Sequence, residues 1–137
     1  MEIRKNRIKQ RLRDGKHVIA IENLNDPDLV ELFAPNDPHC FWFEGEHSIV
    51  NPQNIGDLTR STDLINATSI VRVPRPEYQL IYHAFDLGAQ GVAVPHVKSK
   101  ADAELVVNAS KFSPLGQRGM FTSRQGIGVD DYFNKAN

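Results

Sequence analysis

Glu44-Gly45-Glu46-His47, Arg72 and Pro95-His96 are the charged and titratable residues that interrupt otherwise apolar stretches of this chain. A histidine near neutral pKa can act as a base, a carboxylate beside it can orient it or hold a metal, and an arginine can grip a carboxylate or an enolate bidentately. Together they permit proton transfer beside an anionic substrate. Each also has a plainer reading. Arg72 is equally well explained as a strand arginine paired to a neighbouring carboxylate, and Glu44 and Glu46 as solvated loop charges. Asp86, late in a helical stretch, reads on its own as a surface or capping residue. Gly116-Gln117-Arg118-Gly119 can cradle an anion with backbone amides, although many turns share that pattern. His17, His39 and His83 read as hydrogen-bonded structural residues, and Cys40 as a small buried hydrophobe.

The elements that must position these residues follow a strand and helix rhythm. Arg4 to Asp14 reads as a short helix closed by Gly15, and His17 to Ile21 as a strand. Asp26-Pro27 caps a helix through Phe33, and Cys40 to Phe43 is an apolar run of strand length. Asn51-Pro52 opens a helix to about Ile65, followed by a strand from Ser69 to Val73. Glu77 to Leu87 has apolar residues at helical spacing and stops at Gly88, after which Gly91 to Val94 is a fourth strand. Ser99 caps a helix to about Lys111; residues 112–128 read as a long loop and Val129 to Ala136 as a last short helix. Strands that are apolar on both faces and alternate with helices argue for a parallel sheet covered by helices, an α/β fold. The loop after the second strand, Arg72 and His96 then all lie at carboxyl ends of strands, where parallel α/β folds bind ligands. Neither a G-x-G-x-x-G nor a G-x-x-x-x-G-K-[ST] pattern follows the first strand, so a nucleotide-binding reading loses its best support.

Composition narrows the field further. The chain has 137 residues, one globular unit, but only about half of the roughly 250 that a complete (β/α)8 barrel needs. A net charge of -1 excludes a chain-wide basic field for nucleic acid or anionic membrane. The basic run Arg4, Lys5, Arg7, Lys9, Arg11, Arg13, Lys16 lacks interleaved aromatics and reads as a solvated helix face, not an RNA-binding one. No apolar run approaches a membrane span, and the charged amino terminus does not resemble a signal core, so a cytoplasmic location is expected. The single cysteine, Cys40, cannot form an internal disulfide or a Cys-rich zinc site.

Five motifs occur in order: Glu44 to His47, Val71-Arg72-Val73-Pro74, Asp86-Leu87-Gly88-Ala89-Gln90-Gly91, Val94-Pro95-His96-Val97 and Pro114 to Gly119. Their order and spacing closely resemble the 2-oxo acid aldolases: the metal-dependent 4-hydroxy-2-oxoheptanedioate and 2-dehydro-3-deoxyglucarate aldolases, grouped with the citrate lyase beta subunit. The resemblance runs from Asn6 and Gly15-Lys16 to Tyr132 and Ala136-Asn137. It implies a (β/α)8 barrel of the phosphoenolpyruvate and pyruvate superfamily, with residues 1–137 as a single partial domain of four βα units, the amino-terminal half. The activity it implies is that of a carbon-carbon lyase, cleaving or forming 4-hydroxy-2-oxo acids through a pyruvate enolate, with pyruvate and an aldehyde as partners. By the same resemblance His47 is the base, Arg72 steadies the pyruvate carbonyl oxygen, Asp86 is the acid that partners the histidine, and Glu44 stands where many members have Asp. Arg72, Gly116 and Arg118 are the candidate substrate-binding residues. A divalent ion such as Mg or Mn would chelate the pyruvate. The family's two metal carboxylates fall beyond Asn137, so the chain is expected to hold no metal ligand and to be inactive alone. A homo-oligomer or a complementing half-barrel is the expected assembly. The alternative is a non-catalytic remnant or partner subunit that binds a small 2-oxo acid or pairs with another half.

Overall fold

The computed structural model describes residues 1–137. Four strands, β1 (Ala20–Glu22), β2 (Cys40–Glu44), β3 (Thr68–Arg72) and β4 (Gly91–Ala93), form one parallel sheet in the order β1-β2-β3-β4. A helix α1 (Arg7–Arg13) precedes them, and α2 (Pro27–Leu32), α3 (Pro52–Leu64), α4 (Tyr78–Asp86) and α5 (Lys100–Ser110) follow the strands in turn. After a turn-rich segment comes α6 (Tyr132–Lys135), shorter than the expected Val129 to Ala136.

The helix starts rest on local chemistry. Asn51 and Asn54 form a capping box ahead of α3, with Pro52 at the first helical position, and Ser99 and Asp102 form another ahead of α5. Asp26 accepts from the Asp28 N–H at 2.9 Å to open α2. Each such cap satisfies N–H groups that have no partner inside the helix and contributes about 1 kcal/mol.

Side chains alternate along each strand, so Phe41, Phe43 and Val71 share one face of the sheet. That face meets Val30 of α2, Leu58 of α3 and Ile81 of α4, and all six are at most 1% exposed. Burying side chains of this size stabilises the fold by about 1.5–3 kcal/mol each. Trp42, Ile70 and Arg72 belong to the other face and are only partly buried.

Two expectations change at the amino-terminal end. The first strand forms over Ala20–Glu22, not His17 to Ile21. The Ile19 N–H is taken by His39 Nδ1 at 2.9 Å, and the ladder with β2 begins only at Ala20 opposite Cys40. The basic run is a solvated face only in part: Lys5, Lys9, Arg13 and Lys16 are exposed, whereas Arg4 and Arg7 are tied to the body of the fold. Arg7 donates its N–H to Thr68 Oγ1 at 2.9 Å and its guanidinium to Asp37 Oδ1 at 2.9 Å and to the carbonyls of Pro38 and Asn66. Arg4 pairs with Asp63 and donates to the Ala67 carbonyl at 3.2 Å. Since α1 contributes no buried residue, these polar ties hold it across the beginnings of the strands.

Candidate active site

Strand register brings three of the candidates to one rim. Glu44, the last residue of β2, lies opposite Arg72, the last of β3, and Arg72 lies opposite Ala93, the last of β4. The chain then passes Gly45, whose N–H donates to the Arg72 carbonyl at 2.9 Å. A Cβ there would collide with that same carbonyl, so only glycine allows the loop after β2 to run this close to β3.

Glu44 organises the loop that follows it. Its Oε1 accepts from the backbone N–H groups of Glu46 at 2.8 Å and His47 at 3.3 Å, and its Oε2 from the Trp42 indole and Arg72 Nη1, at 3.3 Å and 3.2 Å. Burial opposes the charge on this carboxyl, but the hydrogen bonds from Glu46, Trp42, His47 and Arg72 outweigh it and hold the pKa below the usual 4.5. The reach of a glutamate is therefore well used where many members of the resembled family carry aspartate.

Glu46 links the rest of the rim. Its carboxylate pairs with Arg72 Nη2, lies 3.4 Å from His47 Nε2 and accepts from His96 Nε2 at 2.7 Å. The Glu46 side chain is 10% exposed, whereas those of His47 and His96 are 70% and 63% exposed, so the imidazoles meet solvent while the acid that orients them does not. Arg72 uses one N–H of each terminal nitrogen on the two glutamates, and a guanidinium carries five, so donors remain for a ligand. Two imidazoles, a guanidinium and two carboxylates thus share one open rim.

Three expected members are elsewhere. Asp86 ends α4, and a helix of a parallel βα unit runs back toward the amino ends of the strands, away from the rim. There Asp86 accepts from Arg118 Nη2 at 2.5 Å and is not the partner of His47. Arg118 is 6% exposed and lies over the rings of Phe85 and Phe112, so it and Gly116 do not join Arg72 at the rim. Gly116 forms a turn on α5, its N–H donating to the Phe112 carbonyl at 3.0 Å; a Cβ there would meet Lys111. The carboxylate beside His47 is Glu46, and His96 shares it. Glu46 had a signal, since an arginine on the neighbouring strand calls for acceptors two residues apart. His96 stands at the strand end where the sequence places it, with a left-handed backbone, φ 57°.

The rim does not fit a divalent cation. No group of three His, Cys, Asp or Glu residues is arranged to hold one, and the Glu44 oxygens are taken by Arg72, the Trp42 indole and the backbone N–H groups of Glu46 and His47. No helix is long and apolar enough to cross a membrane.

Comparison with known proteins gives this rim a context. The chain is 32% identical over 124 residues to a 4-hydroxy-2-oxovalerate aldolase from Novosphingobium aromaticivorans, covering 87% of this chain and 46% of that protein. It is also 32% identical over 121 residues to a hydroxypyruvate/pyruvate aldolase from Pseudomonas aeruginosa, covering 88% and 45%. Among solved structures it resembles an HpcH/HpaI aldolase/citrate lyase family protein from Burkholderia cenocepacia J2315, with a TM-score of 0.84 and 26% identity over 96% of this chain and 56% of that one. The chain therefore spans about half the length of the relatives it matches. The model of the HpcH/HpaI aldolase/citrate lyase family matches residues 22–132, and the chain belongs to that family.

Proposed function

We propose that residues 1–137 form the amino-terminal half of a barrel aldolase, a carbon-carbon lyase whose rim takes a small 2-oxo acid such as pyruvate. The observation that carries this reading is the placement of Arg72 between Glu44 and Glu46, with His47 on the same Glu46. In cleavage of a 4-hydroxy-2-oxo acid, His47 takes the proton of the C4 hydroxyl and the C3–C4 bond breaks. The aldehyde leaves, and the electron pair passes into the pyruvate enolate, which then takes a proton at C3. Arg72 donates to the oxygen on which that charge develops, where a preformed donor helps most. The ligands of a divalent ion, which would polarise the pyruvate oxygens, would come from the completing half.

The test joins this chain to the carboxyl-terminal half of the Novosphingobium relative and measures pyruvate released from a 4-hydroxy-2-oxo acid with Mg or Mn added. Turnover is expected, with His47→Ala lowering kcat about a hundredfold or more. Arg72→Lys is expected to impair it strongly despite the retained charge, because an ammonium lacks the planar fork. Near-wild-type rates for both variants would reject the roles. A completed chain that binds pyruvate without turning over would instead be the non-catalytic binding subunit.

A further inference from the structure

At the other end of the sheet a cavity of about 180 Å³ lies where the amino-terminal segment, the residues leading into β4 and α6 come together. Arg4, Lys9, Arg118 and Lys135 line it, and no carboxylate does. Asp63 answers Arg4 and Asp86 answers Arg118 from outside the lining, which leaves the Lys9 and Lys135 charges without a carboxylate partner, although Lys135 Nζ donates to the Asp130 carbonyl at 2.6 Å. Lys111 lies outside the lining and donates its ammonium to the Asn137 carbonyl; burial, and then the nearby charge of Lys9, hold it below the usual range.

Arg118 supplies an independent observation. Its side chain is 5% exposed and bonds Asp86 through Nη2, but its Nε–H has no acceptor. A buried N–H left without a partner is costly, and an acceptor arriving in the cavity would relieve it. Donors that converge from the amino-terminal segment, α1, the segment after α5 and α6 suit a ligand with acceptors on several sides. A planar carboxylate offers two oxygens, whereas a tetrahedral oxyanion offers more and, as a dianion, matches the two unanswered lysines.

We propose that this cavity is a second anion site, separate from the rim, that binds a phosphate group, either free phosphate or the phosphate of a small ester. The site is independent of the aldolase reading, because none of its lining residues belongs to the rim.

Calorimetric titration of the 137-residue chain at low salt, with inorganic phosphate, glycerol phosphate and acetate as separate probes, tests it. Saturable phosphate binding is expected, weaker for acetate and loosened by added salt. The double variant Lys9→Gln/Lys135→Gln should lose about tenfold or more in affinity, as should Arg118→Lys, which keeps the charge but not the fork. The exposed pair Lys98→Gln/Lys100→Gln should bind as wild type. Tighter binding of glycerol phosphate than of phosphate would identify an ester as the ligand, and equal or weaker binding the free ion. Absence of saturable phosphate binding by the folded chain would overturn the proposal. So would unchanged affinity in the Lys9/Lys135 variant, whose side chains carry no core packing that could confuse the result with unfolding.

Discussion

Glu44 accepts from Glu46, His47, Trp42 and Arg72 at once, so the rim depends on one carboxylate more than on any other group. Glu44→Ala strands those donors together, and we expect it to cost about 2–4 kcal/mol in urea unfolding, given about 1.5–3 for a hydrogen bond to a charged group and partial rescue by water. The pH dependence has a definite sign. A carboxyl whose folded pKa lies below its unfolded value stabilises the fold above the unfolded value, near 4.5, and that stability is lost as pH falls through the folded value. Wild-type stability should therefore drop below about pH 4.5 more steeply than that of Glu44→Gln, as read from urea midpoints at several pH values. Glu44, His47 and Arg72 were legible in sequence because each stands at or just after a strand end, where direction follows from the parallel sheet. Asp86 was not, since its partner Arg118 lies 32 residues further on and nothing local distinguishes an acid at a helix end from one in a site.

Among the elements, the capped ones were the legible ones. Asn51-Pro52 and Ser99 fix α3 and α5 by local hydrogen bonds that any solvent-exposed chain could make, so local reading suffices. The first strand is a different case, because its beginning is set by His39 on the far side of α2 accepting from the Ile19 N–H. That acceptor exists only while the imidazole is neutral. Burial, and then repulsion from Arg11 and Arg7, hold His39 below its ordinary 6.5. The unfolded chain takes up a proton near that value while the folded chain resists, so stability contributed above about pH 6.5 is lost as pH falls toward the folded pKa. His39→Gln keeps an acceptor for Ile19 but cannot titrate, and it should flatten this slope. An equal slope between pH 7 and 5 in both proteins, by urea unfolding, would place the titration on other groups (roughly the window in which histidine changes charge).

For the whole molecule, the consequence of four strands in one open sheet is a pair of unpaired edges. The outer edge of β1 and the outer edge of β4 each present backbone groups with no neighbouring strand, and β4 carries no charged residue to discourage pairing. Apolar groups accompany the β1 edge: Ile19 is 62% exposed, and Leu29 and Leu32 on α2 are 43% and 71% exposed. A face that leaves Trp42 and Ile70 partly uncovered adds to the surface that water must solvate. Because all four strands are parallel, β4 of one copy can continue into β1 of another in the sense the sheet already uses. The 137-residue chain should thus self-associate, and light scattering on a size-exclusion column should show species larger than the 15.4 kDa of one chain. Adding the carboxyl-terminal half of a matched relative should compete for the same edges and shift the material toward a defined complex. Without that half the chain should release no pyruvate from a 4-hydroxy-2-oxo acid with Mg or Mn present, since the rim offers no ligand set for the ion. A cooperative monomer with substantial metal-dependent turnover would overturn both expectations, and Leu32→Lys separates them: it should weaken self-association while leaving the rim at the carboxyl ends of the strands intact.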